Sequence, residues 1–593
     1  MTYQPPTTDV SFVLHHLIDV CGLTALDAFD EIDADTVDGL IDEAGRFAKE
    51  QLAPLNWPGD RQGVKVDGAE VTVADGFADA YELFVEAGWN GIAFDQAYGG
   101  GGLPWTLGLA VQEFINAANM SFALCPLLTQ GAVDMLSHHA SEEQKETYLH
   151  KLVSGEWTGT MNLTEPHAGS DVGALTTKAV PAGDGSYRIT GTKIFITFGE
   201  HDMADNIVHL VLARTPDAPA GTKGISCFIV PKFLVNDDGS LGERNDLRVV
   251  STEHKIGIHA SPTCVMSYGD EGGAVGYLIG EENQGMRYMF TMMNNARLSV
   301  GLQGLALADA ALQRAAQYSR ERKQGRAIGA QEPSSYIVDH ADVRRMLMTM
   351  RANVEAMRGV MYLNGAAMDL ANAAATEEER LAADARSAVL TPLSKGWGTD
   401  IGLEMTSLGV QVHGGMGFVE ETGAAQLWRD ARILPIYEGT NGIQGLDLVM
   451  RKLPMGGGAA VGSLLAEMDA TVAETATELP VVSERLAAAV ADVRTVIAWF
   501  TEHSASPNAL ASGATPFLRL FGIVAGGWAL ARQAVTARRL LASGDSAFGE
   551  DFLADKVATA TFYAEQLLPG TAGLVGPCTA GDDLMFAIGA DRL

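Results

Sequence analysis

Basic residues are scarce in this 593-residue chain: 41 Lys and Arg face 74 Asp and Glu, a formal net charge of −33. Nucleic acids and anionic membranes are held by positive patches, so this balance argues against either as a main partner. Cysteine is rare too. Cys21, Cys125, Cys227, Cys264 and Cys578 are scattered, odd in number and form no C-x-x-C. That argues against a disulfide framework or a zinc site and points to buried free thiols in a reducing, cytoplasmic compartment. The thirteen histidines include no H-E-x-x-H, so no metal is expected. No apolar run approaches 18 uninterrupted residues, which predicts no membrane span. The opening MTYQPPTTDVSFVLHH lacks a basic region followed by an apolar core, so it does not read as a secretory signal.

What is present is a large apolar fraction, 47%, enough for an extensive core. The length implies three or four structural units. After an N-terminal extension (1–35), residues 36–159 carry apolar residues at spacings of three and four, the mark of helix. The period then shortens. Residues 160–282 hold β-type runs such as SYRITGTKIFIT, NIVHLVLART and GISCFIVPKFLV, split by Gly, Pro and Asp, as in a small barrel or sandwich. Residues 283–454 return to long helical patterns with a bend expected at Pro392, which suits a four-helix bundle. MGGGAAVG (455–462) reads as a flexible joint before a further Ala/Leu-rich helical unit, 463–593. The predicted class is mainly α with a central β-domain and an extra C-terminal helical domain.

Four stretches draw attention. HGGMGF (413–418) is not a Walker loop and follows a helix; a glycine helix cap and a loop packed closely on a cofactor stand about even. MNLTEPHAGSDVGA (161–174) concentrates small, polar and acidic groups at the helix-to-β boundary, where Thr164 and Ser170 could meet phosphate or carbonyl oxygens, or simply decorate a turn. In GTKIFIT, Phe195 and Thr197 fall two apart, on one face of a strand. A ring beside a hydroxyl could cover and bond a flat heterocycle. Last, ILPIYEGTNGIQ (433–444) carries one acid, Glu438, with no Lys or Arg in the stretch. It reads either as a solvated loop acid or as a general base whose apolar surroundings raise its proton affinity, suited to removing a proton from carbon. Gly439 would let a substrate approach the backbone.

Together LTEPHAGSDVGA, GTKIFIT, VQVHGGMGF and RDARILPIYEGTNGIQ, in this order and at these separations, resemble the acyl-CoA dehydrogenase family over residues 40–450. The resemblance implies that family's fold of helical domain, β-domain and bundle, and FAD as cofactor. It implies that Met161, Leu163 and Thr164 line the flavin, that Ser170 touches pyrophosphate and substrate, and that Phe195 stacks on the ring with Thr197 beside it. Arg322, Gln411, Gly414 and Gly415 would reach the FAD of a neighbouring subunit, and Thr440 the cofactor phosphate or ribityl chain. Asn294, Arg297 and Gly439 would lie toward the substrate. Glu438 would remove the α-proton of the thioester, giving a trans-2-enoyl-CoA, and would be unpaired because a nearby cation would weaken it as a base.

The long lead, the insert KFLVNDDGSLGERNDL and the extra C-terminal helices resemble a long subgroup of that family. It includes bacterial enzymes acting on 3-methylmercaptopropionyl-CoA in dimethylsulfoniopropionate breakdown and mycobacterial fatty acyl-CoA dehydrogenases. EHKIGIHASPTCVM and MFTMMNNARLSVGLQGLA favour the first group. A homodimer is implied, with an electron-transferring flavoprotein as acceptor. The alternatives are a medium- or long-chain fatty acyl-CoA dehydrogenase, an acyl-CoA oxidase or a nucleic-acid-binding relative; the last would need a basic tail, which DDLMFAIGADRL is not.

Overall fold

The computed structural model describes residues 3–544 and 547–593; residues 1–2 of the extension and 545–546 of the last helical unit lie outside the described residues. Seven helices precede the sheet: α1 (Thr7–Val13), α2 (Val20–Thr24), α3 (Ala34–Phe47), α4 (Ala53–Gln62), α5 (Phe77–Glu86), α6 (Trp105–His139) and α7 (Glu142–Ser154). Their starts follow the side chains. Asp33 caps α3, and Ser141 with Gln144 forms a reciprocal capping box on α7. α6 is buried along almost its whole length and forms the spine of this layer.

A short hairpin, β1 (Lys65–Asp67) with β2 (Glu70–Thr72), interrupts the helices, a feature the helical reading of 36–159 missed. Its signal was local: Gly68 at φ 61° opens a two-residue turn between KVD and EVT.

The strands that follow are β3 (Trp157–Asn162), β4 (Lys178–Pro181), β5 (Tyr187–Thr197), β6 (Asn206–Ala213), β7 (Ser226–Pro231), β8 (Phe233–Val235), β9 (Leu241–Arg244), β10 (Leu247–Thr252), β11 (Thr263–Tyr268) and β12 (Ala274–Leu278). Eight of these form one sheet in the order β10-β11-β5-β12-β7-β6-β3, with β4 also on β5; β8 and β9 form a separate pair. β3 and β6 run parallel. β6 and β7 are buried at every position, which is why their sequences are nearly unbroken apolar runs.

The bundle is α8 (Gly285–Glu321), α9 (Ala341–Ala373), α10 (Glu377–Pro392), α11 (Gly398–His413), α12 (Ala424–Ala431) and α13 (Asn441–Asp447). Met289 and Met292 are buried on α8 and belong to the core. Between α10 and α11, directly after Pro392, the chain makes one wide π-type turn, Leu393–Trp397, in place of the expected simple bend. The glycine joint is shorter than the sequence suggested: Gly456, Gly457 and Gly458 take positive φ, and helix resumes at Ala459.

The last unit is α14 (Ala459–Thr475), α15 (Pro480–Glu502), α16 (Pro507–Ser543), α17 (Glu550–Gln566) and α18 (Thr571–Thr579). α16 is long and apolar enough to cross a membrane, which the search for uninterrupted runs did not register because polar residues punctuate it. Of its most apolar stretch 67% is already buried inside the protein, so that surface is spent on the core.

One buried ionic network ties these units together. Arg358 on α9 donates to Glu113 of α6 at 2.6 and 2.9 Å, pairs with Asp9 of α1, and lies 3.9 Å from Asp309 of α8. Tyr362 donates to the other Glu113 oxygen at 2.9 Å. Lys556 of α17 pairs with Asp9 and, at 3.2 Å, with Glu355.

Candidate active site

The segment RDARILPIYEG is fixed at its start by two adjacent residues of α12. Arg429 forks onto Asp60 of α4 at 2.7 Å and onto Glu420 at 2.8 Å. Asp430, buried, accepts from the Ile258 backbone N–H of the β-domain at 2.5 Å. The segment is therefore located against both other domains before it reaches Glu438. Burial pushes the Asp430 carboxyl up to about 7. The folded state then keeps a proton that the unfolded chain releases between about pH 4 and pH 7, so this group's contribution to stability falls as pH rises through that window. Asp430→Asn keeps the acceptor for Ile258 and removes the titration. Relative to the parent, the variant is expected to gain about 1–3 kcal/mol between pH 5 and pH 8 in denaturant unfolding. Parallel stability–pH curves for the two proteins would contradict this.

Glu438 itself sits at φ 55° and Gly439 at φ 83°, so the chain turns through two left-handed residues just before α13. Glycine tolerates this; glutamate does so only where its surroundings impose it. The Glu438 side chain is half-buried, and among the described residues it forms no ion pair and no hydrogen bond. Burial pushes its carboxyl above the ordinary carboxylate range. The expectation that no cation lies near it is corrected here. Arg297 of α8 and Lys395 of the π-turn both pull its proton affinity partly back down, although neither is in its sequence neighbourhood. Burial wins, and the acid keeps a raised affinity for protons.

Around it, Tyr437 donates to Gln303 of α8. Lys395 donates to the Gly439 carbonyl at 2.7 Å and to Asn441 Oδ1 at 2.9 Å. Arg297 donates to Asn294 at 3.2 Å, while its buried Nε has no partner in the chain. Thr440, expected at the cofactor, also caps α13, accepting from the Ile443 N–H at 3.4 Å. Lys395 and Gln303 carry no signal along the chain, since each reaches the loop only through the packing of separate helices, whereas Asn441 lies within the stretch itself.

A second group forms at the β-domain edge. The Ile194 N–H donates to the Thr164 carbonyl at 2.9 Å, and Thr160 Oγ1 to the Thr197 carbonyl at 2.7 Å, so the TEPHAGSD turn and GTKIFIT lie side by side. Below them Glu165, buried, accepts from Lys193 Nζ at 2.9 Å and from Thr176 and Thr177. Burial alone would raise the Glu165 carboxyl; Lys193 and the two threonines outweigh it and hold it at about 2. This acid shapes the turn. Strict strand alternation does not deliver Phe195: β5 bulges against β11 between Lys193 and Ile196, and Phe195 takes φ 60°. Its ring is left 58% exposed while Ile196 beside it is buried. Met161 is buried, Leu163 and Thr164 are half-buried, and Ser170 is exposed.

A third group gathers where α8 and α11 end. Arg322, Gln411, Gly414 and Gly415 are exposed, and a Cβ added to either glycine would meet nothing within 4 Å. Gly414, at φ 61°, ends α11, as the helix-cap reading expected. The first and third groups both adjoin α8, through Arg297 and Gln303 and at its end at Arg322, and no hydrogen bond or ion pair joins the three groups among the described residues.

These features fit a large planar cofactor with a phosphate tail. The Phe195 ring is exposed, the Thr164, Ser170 and Thr197 hydroxyls have no hydrogen-bond partner among the described residues, and the Gly414–Gly415 backbone is open. A carboxyl whose proton affinity is raised by burial, in a chain that presents such groups, suits an oxidoreductase that works on an acidified C–H bond.

The comparisons agree. Residues 35–156, 160–270 and 283–453 match the N-terminal, middle and C-terminal domains of acyl-CoA dehydrogenases, and residues 464–589 match the acetyl-CoA dehydrogenase C-terminal-like domain. The chain is 47% identical to a 3-methylmercaptopropionyl-CoA dehydrogenase of Ruegeria pomeroyi over 99% of its own length and 100% of that protein's. It is 36% identical to a butyryl-CoA dehydrogenase of Syntrophomonas wolfei, covering 98% and 97% of the two chains. A Bacillus anthracis acyl-CoA dehydrogenase solved with FAD shares the fold, with a TM-score of 0.72 at 20% identity over 96% and 91% of the chains. The chain belongs to the acyl-CoA dehydrogenase family and is an FAD-dependent enzyme.

Proposed function

We propose that the enzyme oxidises 3-methylmercaptopropionyl-CoA to methylthioacryloyl-CoA, with Glu438 as the base. The observation that carries the chemistry is the half-buried Glu438 carboxyl, without an ion pair among the described residues and with its proton affinity raised by burial. The substrate rests on full-length likeness to the Ruegeria pomeroyi enzyme.

Glu438 takes the α-proton from the thioester. Its own backbone N–H, with Gly439 leaving room, steadies the carbonyl oxygen as charge moves onto it. FAD, when bound, supplies the acceptor for the β-hydrogen and its electron pair. Met161, Leu163 and Thr164 line the cofactor ring, Phe195 covers it, and Thr197 and Ser170 hold its polar edge and tail. Asn294 and Arg297 border the substrate side. In this reading Thr440 contributes through its cap on α13. Arg322, Gln411, Gly414 and Gly415 serve the cofactor of a second copy, which makes the working form a homodimer. An electron-transferring flavoprotein removes the electrons, and the compartment is the cytoplasm. The domain divisions at 36, 160, 283 and 463 belong to the same proposal.

The test is an anaerobic panel of methylthiopropionyl-, butyryl-, octanoyl- and palmitoyl-CoA, scored by flavin bleaching. Methylthiopropionyl-CoA is expected to exceed palmitoyl-CoA in kcat/KM by at least about 10-fold, the scale on which a pocket separates chain lengths. Bleaching by palmitoyl-CoA alone would overturn the substrate and leave the family intact. Peroxide formed in air as fast as the flavoprotein is reduced would mark an oxidase.

A further inference from the structure

The loop that presents Glu438 needs an outside restraint. A glutamate in the left-handed region is strained and persists only where its neighbours over-determine it. Restraints from within the loop are weak: Gln444 Nε2 lies 3.4 Å from both the Glu438 and Gly439 carbonyls. The Asn441 N–H reaches back to Pro435 O at 3.1 Å. The short bond comes from elsewhere, from Lys395 Nζ to the Gly439 carbonyl at 2.7 Å, and the same ammonium holds Asn441 Oδ1 at 2.9 Å. Asn441 is in turn anchored to Gly396 O, Thr399 Oγ1 and Asp400 Oδ1 at 3.0, 2.9 and 2.7 Å.

Lys395 is fully buried and among the described residues makes no ion pair, an arrangement that costs stability. It reaches the loop because the π-turn after Pro392 inserts an extra residue between α10 and α11 at this point. Such turns are frequent at functional sites. Charged groups around it are Arg297 from α8, Asp400 from α11 and Glu438 from the loop before α13, with Arg519 of α16 acting on Asp400. α9 and α10 turn Met361, Asn364 and Thr391 toward the same turn.

We propose that Lys395 is the positioning residue for Glu438: its ammonium pins the Gly439 carbonyl and the Asn441 side chain, and so fixes where the Glu438 carboxylate stands. This inference rests on Glu438 being the base. Burial draws the Lys395 ammonium down to about 7, with Glu438 pulling it back up, so its charge is poised near neutrality. Losing that charge removes one of the two cations that lower the proton affinity of Glu438, and the acid's own titration moves to higher pH.

The experiment compares Lys395→Met and Lys395→Gln with Glu438→Gln in the full-length, FAD-loaded enzyme. Lys395→Met is expected to lower kcat by about 10- to 100-fold, the cost of a misplaced catalytic group, with KM within about 3-fold and flavin content at the parental level. The acid limb of kcat/KM moves up by about one pH unit. Lys395→Gln, still a donor but uncharged, recovers part of kcat and keeps the displaced limb. If Lys395→Met does not retain flavin, the same kcat–KM split and pH limb are read on Lys395→Gln. A folded variant with parental kcat and parental pH limb overturns the proposal. So does a Lys395→Gln enzyme that loses kcat, KM and flavin together, which is what a purely structural lysine would give. Turnover retained by Glu438→Gln would sink the base assignment instead. A dead Glu438→Gln beside an unchanged Lys395→Met removes only the role of Lys395.

Discussion

Glu438→Gln is expected to bind FAD and acyl-CoA as the parent does and to lose about 10²–10⁴-fold in turnover, the range a positioned general base supplies. The substitution keeps the size and the left-handed backbone setting at φ 55°, so the loop has no reason to collapse. Because the parent carboxyl makes no hydrogen bond or ion pair among the described residues, its amide replacement strands none of them. The loss therefore reports chemistry rather than folding. Rapid mixing with substrate in the absence of oxygen reads it directly: the flavin should stay oxidised over times in which the parent bleaches completely. A variant that bleached within 10-fold of the parental rate would place the base elsewhere.

Arg358→Met is expected to cost about 3–5 kcal/mol of stability, the usual consequence of removing one partner from a buried ion pair. Glu113 is wholly buried, and the guanidinium is the cation that meets two of its nearest contacts. Asp9 and Asp309 face the same guanidinium from α1 and α8. Burial already pushes the Asp309 carboxyl up to about 7, so without Arg358 it would take a proton before it would stay charged. The double variant Arg358→Met, Glu113→Gln should recover part of the loss, because it no longer buries an uncompensated carboxylate. Equilibrium denaturation of the three proteins distinguishes this from a simple packing defect, for which the second substitution would add to the damage.

The architecture was legible because its period changes are long: helical spacing to β-runs and back marks whole domains. Local exceptions were not. The hairpin at 65–72 is three residues to a strand, too short for alternation to register, although Asp67-Gly68 marked its turn. The bulge at Phe195 depends on how β11 pairs with β5, which no single stretch encodes. At the site the sequence singled out Glu438 as an acid without a neighbouring cation along the chain. It could not see that Arg297 and Lys395 arrive from two other helices, since helix packing brings together residues with no sequence relation. Glu165 illustrates the opposite case. It stood within a conspicuous motif, yet its duty is to bind Lys193 and two threonines beneath the turn.

The pairing of Asp9 with Lys556 has a temporal consequence. A ribosome delivers the chain from its amino end, so α1 emerges first and its partner on α17 nearly last. The first helix can settle on α3 and α9 early, but the apolar site of Phe12, built with Ala537 of α16 and Leu553 of α17, is completed only when the final helices appear.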